Sequence, residues 1–282
     1  MRAEIAGFGA LVLLSMVGCG PATPAGTRTT RSGFELSPHS SSTPLPMSSS
    51  SPSALPTTPP VAHVAGWQEQ DSPNWVGYTF LKGDVTGVRA QWLEPMVTGE
   101  KGDEEFVWLG IGGWAFTLDN LIQVGTFAYF PSTGAIRQGS WYELVPVDGT
   151  AQFRPGINVS PGDRIFASIV ELQQSARVWE MQLVDVTAGE SFDRVIEFNS
   201  LRTYPAFVVE DPTNGPSTAR AGPYDPFPHW GTVTFSSMQV RIGEAWTSAA
   251  ALRAYRWRMV RNGSVLAAAG PVSVDSGFSS FQ

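Results

Sequence analysis

The chain has 282 residues and a formal net charge of −7, with 42% hydrophobic, 11% aromatic and 15% charged residues. That length buries one large core or two small ones, and an acidic balance without a Lys/Arg run excludes a nucleic-acid partner, because no basic patch exists to neutralise phosphates. A single cysteine, Cys19, excludes an intrachain disulfide and a cysteine nucleophile in the mature domain; three histidines (His39, His63, His229), with neither CxxC nor HExxH, argue against a metal site, and no cofactor is expected.

The first residues place Arg2 ahead of an apolar run from Ile5 to Val17 and small residues around Cys19, the layout of an export signal too short to span a bilayer comfortably. Ser15 to Cys19 reads SMVGC and resembles a bacterial lipobox, with Met16 where leucine is usual; processing there makes Cys19 the lipidated N-terminal residue. The competing reading is an ordinary signal peptide with an incidental cysteine, and Glu4 weakens the positive region that precedes either. Residues 20–65, dominated by Pro, Ser, Thr and Ala, have hardly any large apolar side chain to bury and are expected to form a disordered tether. Residues 1–19 are thus read as a signal with a lipobox-like end, and the protein as secreted or held at a membrane by an N-terminal lipid.

From residue 66 to 282, short runs rich in Val, Ile, Phe, Tyr, Trp and Thr recur between Gly, Pro, Asp, Asn and Ser: NWVGYTF, VRAQWLEP, FVWLGIGG, NLIQVGTFAYF, SWYELVPV, DRIFASIVEL, RVWEMQLVDVT, RVIEFNS, AFVVED, WGTVTFSSMQV, YRWRMV and SVLAAAGPVSV. This pattern predicts one all-β domain, a two-sheet antiparallel sandwich, expected as a monomer. The only predicted helix is EAWTSAAALRA, Glu244 to Ala254, where alanine and leucine permit one.

Strand alternation sorts the chemistry. In the stretch Phe106 to Phe127, Val107, Leu109 and Ile111 point one way and Trp108, Gly110 and Gly112 the other; in LIQVGT, Ile122 and Val124 oppose Leu121, Gln123 and Gly125. If Tyr142, Leu144, Phe207 and Val209 join the first set in a core, the opposite face collects Trp108, Gln123, Trp141, Glu143 and Glu210. A carboxylate there can take a proton from water while an amide orients that water and donates to an oxyanion, which is peptide hydrolysis. Glu143 and Glu210 fit equally the carboxylate pair of a glycosidase. Trp75, Trp92, Trp108, Trp141 and Trp230 are candidates to wall a peptide cleft or stack on sugars, or simply to pack. His229 has no GxSxG elbow to serve.

Seven motifs then occur in an order that resembles the glutamic peptidases, or eqolisins: NWVGY (Asn74 to Tyr78), VWLGIGG (Val107 to Gly113), LIQVGT (Leu121 to Thr126), WYELVP (Trp141 to Pro146), SPGDRI (Ser160 to Ile165), FVVEDP (Phe207 to Pro212) and WGTVTF (Trp230 to Phe235). The resemblance covers nearly all of residues 72 to 237. It implies a concanavalin A-like sandwich and acid endopeptidase action on protein or peptide substrates, with Gln123 and Glu210 as the catalytic dyad. It also implies that Trp108 lines the cleft and that Glu143 supports the site; Trp75 and Trp141 are the other substrate-binding candidates. The chain departs from the fungal pattern at Gly112, where an aspartate stands, and at Ala206, where a glutamate is frequent, and it lacks the fungal disulfides. A non-catalytic, lectin-like module binding glycan or peptide is the alternative these lost carboxylates leave open.

Overall fold

A computed structural model describes residues 66–112, 120–148, 151–153, 156–175, 177–212, 228–273 and 277–281. The expected signal and tether, with Cys19, His39 and His63, lie outside the described residues. Among the described residues fifteen strands run in chain order: β1 (Trp67–Ser72), β2 (Trp75–Phe80), β3 (Val85–Leu93), β4 (Glu104–Ile111), β5 (Leu121–Tyr129), β6 (Arg137–Val145), β7 (Arg164–Gln173), β8 (Val178–Asp185), β9 (Glu190–Glu197), β10 (Ala206–Glu210), β11 (Thr232–Ile242), β12 (Ala245–Ser248), β13 (Ala254–Arg261), β14 (Ser264–Ala269) and β15 (Phe278–Phe281).

Their hydrogen-bonded order is β6-β5-β4-β10-β2-β13-β14-β15-β11-β3-β7-β8-β9. The ribbon doubles back on itself, so that β3, β7 and β8 pack across β4 and β5 while β14 and β15 turn the corner beside β2. The result is the expected all-β sandwich, antiparallel throughout except where β1 joins β13. β8 shows the logic of a half-covered strand: Trp179, Met181, Leu183 and Asp185 are buried and alternate with more accessible neighbours. β2 and β10 behave differently. Every residue of β2 is buried, and in β10 all but Glu210 are, because both faces of these strands are covered. One face feeds the main core with Val76, Tyr78, Phe80, Val107, Leu109, Ile122, Val124, Phe207 and Val209; the other feeds a second cluster of Trp75, Phe106, Trp108, Leu121, Trp141, Val145, Ala206 and Val208. Each fully buried large apolar side chain contributes about 1.5–3 kcal/mol, so the second cluster is a substantial part of what holds β4, β5, β6 and β10 in register.

The predicted helix at Glu244 to Ala254 does not form. Ala245–Ser248 pairs with β11, a single 3-10 turn covers Ala249–Ala251, and β13 begins at Ala254. Ala249 and Ala250 are buried in the main core, so burial and strand pairing outweigh alanine's intrinsic helix preference. Strand β1 was invisible to an apolar-alternation reading because WQEQDS is polar. Charge fastens it instead: Glu69 meets Arg256 and Arg258, and Asp71 Oδ1 lies 2.6 Å from Arg258 Nη2.

Among the described residues three glutamates are buried outside the second cluster, and of these Glu171 is paired with Arg202. Glu94, after β3, and Glu105, in β4, are both almost inaccessible, and Glu94 Oε2 and Glu105 Oε1 have no hydrogen-bond partner among the described residues. Burial pushes Glu94 up to about 8, and burial together with the nearby Glu94 holds Glu105 well above the usual carboxyl range. Between the ordinary value and about 8 the native state therefore binds more protons than the unfolded chain, so stability is complete in acid and lost as pH rises. Melting temperature followed by circular dichroism is expected to be higher at pH 4 than at pH 8, with about a few kcal/mol of the difference from Glu94, and Glu94→Gln should flatten the dependence. A melting temperature that climbs over that interval contradicts the protonated state of these carboxyls.

Candidate active site

The register places four strands side by side. Ala206, Gly110, Gln123 and Glu143 form one row across β10, β4, β5 and β6; Val208, Trp108, Gly125 and Trp141 form the next row on the same face. Glu210, at the end of β10, pairs with Phe106 of β4 and with Trp75 of β2. Because side chains alternate along each strand, Gln123, Trp108, Glu143 and Glu210 all project from one face, as their spacing predicts. Gly125 makes this possible: a Cβ there would lie 2.0 Å from Val107 O and 2.7 Å from Trp108 Cβ, so only glycine permits Trp108 to sit against β5.

Glu210 is half-buried and both of its oxygens are engaged. Oε2 accepts from Trp108 Nε1 at 2.9 Å, and Oε1 accepts from Asn74 Nδ2 at 3.0 Å. Asn74 is oriented in turn by the Ser72 hydroxyl, which donates to Asn74 Oδ1 at 3.3 Å and accepts from the Trp75 N–H at 3.1 Å. Burial pushes Glu210 up to about 8; the facing Trp75 and Trp108 side chains pull the other way, and the negative charges of Glu143 and Asp211 add to the push. Gln123 is buried and donates through Nε2 to Glu143 Oε2 at 3.0 Å, while its own Oε1 has no donor among the described residues. Burial raises Glu143 above the usual carboxyl value, Asp148 adds to that, and the Gln123 bond opposes it. Gln123 and Glu210 thus share a face but are each held by a different partner.

The aromatic candidates separate into two groups. Trp75 and Trp108 meet edge to face, with ring centroids 5.1 Å apart, and Trp108 spends its N–H on Glu210. Trp141 is buried against Phe106 and gives its N–H to Thr126 O at 2.9 Å; Trp75 and Trp108 are as deeply buried in the same cluster, so none of the three presents an open ring as the expected cleft wall. Trp92 and Trp230 belong to the main core, where Trp92 donates to Thr126 Oγ1 at 3.2 Å; packing, not ligand stacking, accounts for both. His229 is exposed and exchanges backbone hydrogen bonds with Thr98.

Sequence reasoning missed Asn74, although it stands in the NWVGY motif. Its only signal was adjacency to Trp75. The departures at Gly112 and Ala206 also acquire a structure. Gly112 adopts φ +87°, a Cβ there would lie 2.2 Å from Asn120 O, and its N–H donates to Thr203 O at 2.7 Å, so this backbone disfavours any side chain. Ala206 is fully buried in the tryptophan cluster. What remains on the face is a carboxyl gripped by two N–H donors, an amide whose oxygen has no partner among the described residues, and a second carboxyl holding that amide.

No curated protein sequence matches the chain. Among solved structures, scytalido-glutamic peptidase with a peptide-based transition-state analogue is similar at TM-score 0.61 and 20% identity, covering 74% of this chain and 98% of that one. SCP-B, a member of the eqolisin family in complex with the tripeptide Ala-Ile-His, is similar at 0.58 and 21% over the same shares. Aspergilloglutamic peptidase from Aspergillus niger gives 0.52 and 21%, covering 63% of this chain and 98% of that one. These likenesses show the fold. The profile of the Peptidase A4 family matches residues 73–277, which is most of the chain and spans every strand of the site. The chain therefore belongs to the peptidase A4 family and is a glutamic peptidase.

Proposed function

We propose that the protein cleaves internal peptide bonds with Glu210 as general base and Gln123 as the group that orients water and stabilises the oxyanion. The observation that carries this is the half-buried Glu210 carboxyl, fixed by Trp108 and Asn74 on the face that also bears Gln123. A water donating one hydrogen to Glu210 and the other to Gln123 Oε1 has its lone pair directed away from both, toward a scissile carbonyl. Glu210 takes the water's proton as the oxygen bonds to the carbonyl carbon, and the electron pair of C=O moves onto oxygen. The Gln123 amide has two N–H bonds: one is committed to Glu143, and the other is available to that oxyanion. Glu210 then returns the proton to the amide nitrogen as the C–N bond breaks, giving a carboxylic acid and an amine. Glu143 fixes the Gln123 amide and does not touch the reacting atoms.

Glu210→Gln and Gln123→Ala, each retaining the wild-type melting profile, are expected to abolish cleavage of an unfolded protein substrate. Undiminished turnover in either removes the dyad, and peptide or glycan binding without turnover at any pH between about 2 and 7 returns the chain to the binding-module alternative. Trp108→Phe deletes one donor to the ionised carboxyl, a bond worth about 1.5–3 kcal/mol, so kcat/KM should fall about tenfold to a hundredfold with the fold intact. Loss of less than about twofold means that Trp108 only packs.

The base is active only when ionised, so the raised proton affinity of Glu210 governs the pH profile. On its acid side kcat/KM should climb about tenfold per pH unit and bend well above the ordinary carboxyl value. Action in weak acid then draws on the small ionised fraction. A profile already flat at pH 4 contradicts Glu210 as the base.

The N-terminal reading makes the enzyme secreted or surface-tethered. Incorporation of labelled fatty acid by the expressed full chain, lost in Cys19→Ala, is the expected result; equal labelling of both rejects Cys19 as the anchor.

A further inference from the structure

Directly beside the dyad stands a buried ion pair that the proposed mechanism does not use. Asp211 follows Glu210 directly, is fully inaccessible at 0% relative exposure, and forms an ion pair with Arg261 at the end of β13. Arg261 also donates through Nε to Pro73 O at 2.7 Å, and the Asp211 N–H donates to Asn74 O at 3.0 Å. Asn74 is the residue whose amide holds Glu210 Oε1. The last residues of β10, the turn before β2 and the end of β13 are therefore joined behind the carboxyl by one charged pair and two backbone bonds.

An ion pair here is not explained by stability alone. Removing two charges from water costs about as much as their attraction returns, and an apolar pair of equal volume is often at least as stable. What a fixed arginine supplies at this position is orientation and potential. It holds the turn that aims Asn74, and it neutralises a carboxylate one residue from the base. We propose that Asp211 and Arg261 are positioning residues of the peptidase site, setting the aim of Asn74 and the ease with which Glu210 gives up its proton.

This rests on the reading of Glu210 as the base. The groups facing Glu210 are Asn74 and Trp75 from the turn before β2 and its first residue, Trp108 from β4 and Glu143 from β6, with Asp211 next to it in the chain and Arg261 behind Asp211. Of these, Glu143 and Asp211 oppose ionisation of Glu210, and Arg261 is the cation that offsets Asp211. Arg261→Gln leaves the Asp211 charge without its arginine and makes Glu210 harder to ionise. Asp211→Asn removes a negative neighbour and makes it easier.

The test is the kcat/KM pH profile of the full chain on an unfolded protein substrate, with melting temperature as a check on folding. The acid limb should move up by about one pH unit in Arg261→Gln, move down in Asp211→Asn, and return close to wild type in the double variant. Arg261→Lys, which keeps the charge but not the second bond to Pro73 O, should restore the limb's position while kcat/KM stays low. A purely structural pair would lower kcat/KM and melting temperature in all variants with the limb unmoved, and that result overturns the proposal. If Arg261→Gln does not fold, the direction of the shift in Asp211→Asn and the position of the limb in Arg261→Lys decide it. Failure of the dyad itself reads differently, because Glu210→Gln would then retain turnover.

Discussion

A carboxyl group packed against indole rings is expensive to ionise, and it remains in place only where hydrogen-bond donors reach it. Glu210 meets that condition through Trp108 and Asn74, and much of the architecture around it follows from keeping those two donors aimed. Trp108 stays within reach because Gly125 allows it to lie against β5. Asn74 stays within reach because Ser72, Asp211 and Arg261 hold the turn in front of β2. The site is thus spread over β2, β4, β5, β6, β10 and β13, and no short segment contains it.

The covering of both faces of β2 and β10 explains how a reactive face can lie in the middle of a sandwich. One face completes the main core; the other is closed by its own tryptophan cluster, with polar groups admitted only where a partner waits. Glu94, reached by Gln138, and Glu105 are buried outside that cluster and follow the same physics, and burial drives both toward the protonated form. Protonated buried carboxyls favour the native state in acid, whereas an ionised Glu210 is favoured as pH rises; with Glu210 as the proposed base, fold and activity respond oppositely to pH.

Strand positions and the sorting of residues between faces were legible in the sequence because a strand's period of two is fixed by the backbone and nearly every strand carries apolar residues on at least one face. Val107 with Leu109, and Trp108 opposite them, needed nothing more. Strand β1 was not legible, since its partner β13 lies far along the chain and the attachment is ionic. The alanine-rich run after Glu244 misled because composition records helix permission and not burial. At the site, motif order singled out Gln123 and Glu210 as the proposed dyad, and strand alternation put them on one face, but the direct pairing of Gln123 with Glu143 depends on the register of β5 against β6. Asn74 and Arg261 depend on turns and distant strands, for which single-sequence periodicity carries no signal.

Gly112 and Ala206 bring these strands of argument together. The lost carboxylates are compensated in neither place by another acid: Gly112 is committed to a positive φ and a backbone bond to Thr203, and Ala206 is sealed in the tryptophan cluster. Fewer acids on the face mean fewer like charges pressing on Glu210, so its proton affinity is left to burial, to Glu143 and to Asp211. Burial is fixed by the fold, and Glu143 is occupied with the Gln123 amide. Asp211, the remaining acid, is set against Arg261, so the positioning role proposed for that pair lets a residue of β13 act on the chemistry at Glu210.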